Sequence, residues 1–534
     1  MKRRSFVAAV GAAAVHASCR SAPDSPRAAS NTPTSSELDE VSLADIATGL
    51  ENGKWTCSRL TELYLARIDA VDRKGPQLGS VIEVNPDAMA LARQLDGERK
   101  DNRVRGILHG VPILIKDNID TGDRMRTTAG SLALSEWRAP QDAFVVGRLR
   151  AAGALILGKT NLSEWANFRS THSTNGWSAR GGQTRNPYAL DHNPSGSSSG
   201  SGAAVAASLC AAALGSETDG SVTSPSSING IAGLKPTVGL LSRSGIIPIS
   251  ASQDTAGPMC RTVRDIAILL SAMTGVDTED AATAGSQGKA APDYTRFLDP
   301  HGLRGARLGI ARKFFESNAP LDRFLNACVD VLKKAGAEVI DPADLPTHSQ
   351  MDAPEMEVLH YEFKDGLNRY LARLPASSPA RSLTGLIAFN DRNRELEMPF
   401  FEQELLVRTE AKGPLSEAKY VKARADCLRL SRREGIDAVM ARHKLDAIVT
   451  LTSGPAWFID HVNGDSYTGG CTTPAAVAGY PHITVPAGFY RGLPVGLSFF
   501  GPAWSEPALL KLAFAWERET GARRKPAFAA SVPD

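Results

Sequence analysis

Two serine- and glycine-rich loops bracket one alanine-rich helical stretch in "PSGSSSGSGAAVAASLCAAALGSETDGSVTSP", Pro194 to Pro225. Flexible linkers do not usually enclose an apolar segment this closely. A glycine-rich loop that runs into a helix presents backbone N–H donors and permits close approach, which suits an anion or a developing oxyanion. Two shorter patterns compete for the chemistry. Gly153 to Thr160, "GALILGKT", fits the phosphate-loop pattern and would put Lys159 and Thr160 on a nucleotide. That loop must follow a buried strand and open a helix. Here the residues between the two glycines, Ala154 to Leu157, form an apolar strand themselves, a helical "VVGRLRAAG" comes before them, and Lys159 follows the strand. The context for nucleotide binding is absent. Gly196 to Gly200 fits the G-x-S-x-G elbow, which needs a strand directly before it and an acid and a histidine downstream. "YALDHNPS" makes a poor strand, and His443, His461 and His482 have no distinguishing context.

The elements that must position these loops alternate in type. Thr56 is a good N-cap for a helix whose Leu60, Leu63, Tyr64, Ile68 and Val71 share one face. "SVIEVN" and "GVPILIKDN", the latter ending at Lys116, read as strands, with a helix from Pro86 to about Gly97 between them. Helix and strand continue to alternate to about residue 270, an α/β pattern. Residues 345–430 are more polar and helical in pattern. "LDAIVTLTS" and "HITVPAGFY" are strands that return to the main sheet.

At three separated places the chain resembles the amidase signature family. "PSGSSSGSGAAVAAS" resembles its Gly/Ser loop, "GSETDGSVTSP" its nucleophile loop, and "HGVPILIKDNIDT" the segment bearing its catalytic lysine. The likeness covers roughly residues 42–275 and resumes at about 434–520, with "YPHITVPAGFYRGLPVGLSFFG". It implies an α/β fold with a large mixed, twisted sheet flanked by helices on both faces. It also implies that Ser221 is the nucleophile, Ser197 a bridging serine on a cis peptide bond, and Lys116 the base. The backbone N–H groups of Thr218, Asp219, Gly220 and Ser221 would hold the oxyanion, and no metal or cofactor takes part. The chemistry is coherent on its own terms. A serine needs an adjacent base, and a lysine serves only if burial lowers its ordinary value of about 10.4. "VPILIK" puts Lys116 at the end of an apolar strand, where such desolvation is available. Ser195, Ser199 and Asp219 replace glycines usual in these loops, and the Asp219 side chain is expected to turn away from the oxyanion. "TDGS", "GWSARGGQTRNPY" and "SQDTAGPM" are similar to the bacterial peptide amidase branch, which removes the C-terminal amide of peptides.

The chain has 534 residues, of which 42% are hydrophobic and 22% charged, and its net charge of +2 gives no basic face for nucleic acid. "MKRRSFVAAVGAAAVHASC" has the polarity of a signal peptide over residues 1–19; Arg3 and Arg4 suggest twin-arginine export. Cleavage after Ala17 and lipidation of Cys19 are both open, and lipidation would be the chain's one link to a membrane. Residues 20–40 read as a disordered tether, with the catalytic domain over 41–525 and its helical insertion at about 345–430. None of the seven cysteines has zinc-ligand spacing. The expected function is an exported, periplasmic or envelope-anchored serine amidohydrolase acting on peptide C-terminal amides, with small aliphatic or aryl amides as the alternative. A tRNA-dependent amidotransferase A-type subunit is opposed by the signal segment and the near-neutral charge. A non-catalytic envelope binding protein is opposed by the presence of Lys116, Ser197 and Ser221.

Overall fold

The computed structural model describes residues 36–532. The expected signal segment, Cys19 and the tether up to residue 35 lie outside them. The domain starts before residue 41. Leu38 is fully buried, Asp39 pairs with Arg67 at 2.8 Å, and Glu40 accepts from Arg523 at 2.7 and 2.8 Å. One buried leucine and these ion pairs order the stretch expected to be tether as far as residue 40. At the other end the domain runs past residue 525. Phe528 N donates to the Pro187 carbonyl at 3.1 Å and Leu190 N to that of Ala529 at 2.9 Å.

The described residues build an eleven-stranded mixed sheet. Its order is Val81–Val84, Leu155–Thr160, Pro112–Lys116, Ala212–Glu217, Thr255–Cys260, Ala232–Lys235, His482–Tyr490, Leu493–Phe500, Ala447–Leu451, Arg307–Ile310 and Glu338–Ile340. The Pro112–Lys116 strand runs parallel to both of its neighbours, and the Ala212–Glu217 strand runs antiparallel to Thr255–Cys260. Every residue of the Leu155–Thr160, Pro112–Lys116 and Ala212–Glu217 strands is buried. Near-continuous apolar runs behave this way when helices cover a parallel sheet on both faces. The two late strands return to the sheet as expected, and the Thr56 hydroxyl caps its helix by accepting from Arg59 N at 3.0 Å.

The strand containing "GALILGKT" differs from the expectation. It spans Leu155–Thr160, so Lys159 lies inside the strand and does not follow it. The backbone pairing of Lys159 and Thr160 with Glu83, Val81, Ile115 and Lys116 carries the strand past Leu157. The buried Lys159 ammonium is satisfied by donating to the Ile119 carbonyl at 2.7 Å and to Thr127 Oγ1 at 2.9 Å.

The alanine-rich stretch, expected as one helix, becomes the Ala212–Glu217 strand from Ala212, because its second half is needed as a buried strand between Pro112–Lys116 and Thr255–Cys260. It is helical only over Ser199–Ala206, buried along its whole length. Gly200 allows this depth, since a Cβ there would come within 2.3 Å of the Ser80 carbonyl oxygen. Residues 345–430 hold the helices Asp352–Leu371, Leu383–Arg392, Glu404–Glu410 and Ala418–Leu428, among others. Leu359, Phe363, Leu367, Leu386 and Leu406 from this region form a second core with Trp165 and Phe168. Arg169 ties the same interface together: its buried guanidinium lies 2.5 Å from Glu164 and 3.7 Å from Glu397. The six described cysteines are buried and unpaired.

Candidate active site

Lys116 ends the second of the fully buried strands, and its side chain is itself fully buried. Its Nζ lies 2.8 Å from Ser197 Oγ, 3.1 Å from the Ser216 carbonyl and 3.0 Å from Ser216 Oγ. Burial lowers the amine from its ordinary 10.5 to about 7, against the pull of Glu217 and Asp254, whose charges favour protonation. A neutral amine has two N–H donors and one lone pair. The Ser216 carbonyl, which can only accept, takes one N–H, and Ser216 Oγ can take the other. The lone pair is then left for the Ser197 hydroxyl. Asn118 Nδ2 fixes Ser216 by donating to its Oγ at 2.9 Å.

Ser197 sits on a cis peptide bond with Gly196, and its carbonyl accepts from Ser163 N at 3.1 Å. Ser198 N donates to the Ser221 carbonyl at 3.1 Å, joining the two loops. Ser197 and Ser221 line one cavity of about 510 Å³. The structure therefore joins Lys116 and Ser197 by a direct hydrogen bond. It brings Ser221 into the same cavity without a hydrogen bond from its hydroxyl to any described residue.

Thr218, Asp219 and Gly220 line that cavity with Ser221. Among the described residues the N–H groups of these four meet no protein acceptor, while those of Val222 and Thr223 donate to Glu217 Oε2 at 2.8 and 2.9 Å. Gly220 turns the loop at φ +75°, a left-handed conformation that favours glycine. The Asp219 carboxyl is held by Thr473 Oγ1, which donates to its Oδ2 at 2.7 Å, and burial raises it to about 6. Ser195, where a glycine was expected, has φ +61° and its hydroxyl lies 3.0 Å from Ser224 Oγ.

Several contributors were not singled out from the sequence. Ser216 and Asn118 lie inside quoted motifs, one residue before Glu217 and two after Lys116, and the family likeness gave them no role. Asp254 accepts from Thr218 Oγ1 at 2.6 Å. The 345–430 insertion and the loop around Trp457, which the sequence offers as candidates for the wall on the peptide side, do wall the cavity. They do so through Glu355, Met356 and Leu359 of the long helix and Trp457, Asp465 and Tyr467 of the late loop. Asp465 pins that loop to the serine loop, accepting from Asn175 Nδ2 at 2.6 Å, Asn193 Nδ2 at 3.1 Å and Trp457 Nε1 at 2.9 Å. Such pairings join residues nearly 300 positions apart, and no local spacing marks them.

The elbow reading fails. Ser198 is fully buried with Oγ bonded to the Ser216 carbonyl at 3.1 Å. His482 bonds Ser498, His461 stacks on Phe400, and none of the three histidines contacts Ser198.

A family model described as amidase matches residues 59–510. The chain is 52% identical to the peptide amidase of Stenotrophomonas maltophilia, whose crystal structure superposes with a TM-score of 0.88 over 92% of this chain and 99% of that one. It is 43% identical to the Arabidopsis thaliana protein called probable amidase, over 92% of each chain. It is 34% identical to the A-type subunit of the glutamyl-tRNA(Gln) amidotransferase of a Roseiflexus species, over 90% of this chain and 97% of the relative.

Proposed function

The chain belongs to the amidase family and is an amidase, a hydrolase of linear amide C–N bonds; from that premise we propose that it removes the C-terminal amide of peptides through Ser221, Ser197 and Lys116. The observation that carries the catalytic reading is the 2.8 Å contact between a buried Lys116 amine, lowered to about 7, and Ser197 Oγ at the cavity wall. Neutral Lys116 takes the Ser197 proton while Ser197 takes that of Ser221, and Ser221 Oγ attacks the amide carbon. The N–H groups of Thr218, Asp219, Gly220 and Ser221 stabilise the oxyanion. The relay returns the proton to the departing nitrogen, the C–N bond breaks, and ammonia leaves. Water then attacks the seryl ester through the same relay, giving the free acid.

The likeness to the Stenotrophomonas peptide amidase supports a peptide substrate. So does the cavity rim, where Tyr467 is 47% exposed and packs edge-on against Trp457 at 5.7 Å. The likeness to amidotransferase subunits keeps a second reading, an amide-cleaving subunit that needs partners. The purified chain alone, incubated with an amidated peptide, should release ammonia and raise the peptide mass by about one dalton, with no internal fragments. Internal cleavage would make it a protease. Inertness toward peptides with rapid turnover of aliphatic or aryl amides would refute the peptide assignment, and ammonia release only with added partners would favour the subunit reading. We propose also that Arg3 and Arg4 direct export, so that cell fractionation should recover the mature chain outside the cytoplasm.

A further inference from the structure

The cavity that holds Ser221 is lined by three carboxyl side chains, Asp219, Glu355 and Asp465, and by no lysine, arginine or histidine among the described residues. Asp465 is occupied by the donors that pin the late loop. The other two are not. Asp219 Oδ2 takes Thr473, but its Oδ1 is buried without a donor. Glu355 is only 7% exposed; its Oε1 accepts from Gln253 Nε2 at 2.8 Å, and its second oxygen takes no donor among the described residues. Asp219 Oδ1, a buried acceptor without a donor, is costly and calls for a partner, while the free Glu355 oxygen is open to the cavity. Gln253 Nε2 also faces the Thr218 carbonyl at 3.3 Å, so Glu355 stands two hydrogen bonds from the oxyanion turn. Burial raises both carboxyls. Asp219 raises Glu355 further, Asp352 adds to both, and Glu217 adds to Asp219. Buried Lys235 feels the Asp219 charge, but among the described residues no cation lines the cavity beside the pair.

We propose that Glu355 and Asp219 form an acidic subsite that selects amide substrates carrying an ammonium or guanidinium group and discriminates against those carrying a carboxylate. This rests on the amide-hydrolysing reading of the same cavity. An ionised carboxylate gains charge-assisted bonds from a cation, while a second carboxylate meets like charge in a poorly solvated cavity.

The test uses three amidated peptides alike except for one residue beside the amide: lysine, norleucine or glutamate. Their binding to a Ser221→Ala enzyme is measured by calorimetry, and their turnover by the wild type is measured in parallel. The lysine peptide should bind at least about tenfold more tightly than the glutamate peptide, with norleucine between, as one charged contact allows. Adding Glu355→Gln should shrink the lysine-to-norleucine ratio severalfold, and Asp219→Asn should do the same if the first variant does not fold. A merely structural Glu355 would shift all three peptides together and leave the ratio alone. Equal binding across the series, or a ratio untouched by both variants, would overturn the subsite. Charge-selective binding without turnover by the wild type would leave the subsite standing and overturn the hydrolytic reading instead.

Discussion

Lys116 should make activity rise with pH through about 7, the value to which burial lowers its amine. With an ordinary lysine about one molecule in three thousand would be neutral at pH 7; with the lowered value about half are. Burial therefore supplies about a thousandfold more active base at neutral pH. The log of kcat/KM for an amidated peptide should climb with a slope near one up to about pH 7 and then level, because this ratio reports ionisations of the free enzyme. Lys116→Met keeps the length and apolar stem but has no basic lone pair, and should lower kcat/KM by several orders of magnitude at every pH. Stability gives an independent reading. The folded-state value is lowered, so between about 7 and 10.5 the unfolded chain binds the proton that the folded chain has lost. Wild-type stability should then rise with pH relative to Lys116→Met across that window, by up to about 1.4 kcal/mol per pH unit, and the difference should be flat below it. Activity and denaturant-melt profiles from about pH 5 to about pH 10 measure both. A flat kcat/KM profile, or a Lys116→Met enzyme of near-normal rate, would refute the assignment of this lysine as base.

Other outcomes follow from the same geometry. Ser221→Ala should abolish turnover with an unchanged melting profile, and Ser197→Ala should cost roughly three orders of magnitude in kcat, since the three residues act as one relay. Lys159→Ala should lose about 3 kcal/mol in denaturant melts, because it removes the cation buried near Asp117 and Asp120; calorimetry should find no ATP binding to either protein. Arg169→Met should lose a similar amount, about 3 kcal/mol, by leaving Glu164 and Glu397 unpaired between the serine-loop region and the helical insertion.

What the sequence reveals about this molecule follows the range of the forces involved. The alternation of apolar runs and amphipathic helices is local, and it located the strands Val81–Val84, Pro112–Lys116, Leu155–Thr160, Ala447–Leu451 and His482–Tyr490, while Ala212–Glu217, rich in alanine, was read as helix. The glycines and serines of the two loops are also local, because turns and close approach need particular residues at particular positions. Helix and strand ends were less legible where a distant partner decides them. Pairing with Val81–Val84 and Pro112–Lys116 extends the strand through Lys159, whose buried amine is met by the Ile119 carbonyl and Thr127, and Leu38 with Arg67 and Arg523 orders residues that composition alone reads as tether. The wall regions were legible, but the individual residues that reach the site were not. Glu355 reaches the oxyanion turn through Gln253, more than 100 positions away in sequence, and no periodicity records that contact.

Lys116 and Lys159 show how narrowly the fold separates chemistry from architecture. Both end up fully buried on adjacent parallel strands, and burial lowers both amines. The register pairs Lys159 with Ile115, so Lys116 lies one residue out of step. Successive side chains of a strand point to opposite faces, and a single step therefore sends the two lysines to different sides of the sheet. On one side Lys159 meets Ile119 and Thr127 and the field of Asp117, Asp120 and Asp123, which favours its charged form. On the other side Lys116 meets Ser216 and Ser197, and only Ser197 and its loop open onto a cavity. A lowered lysine does not by itself mark a base; a buried lysine acts as one when its lone pair faces a hydroxyl that a substrate can approach. In "GALILGKT" the pattern points to Lys159, but the alternation of side chains along the sheet gives that position to Lys116.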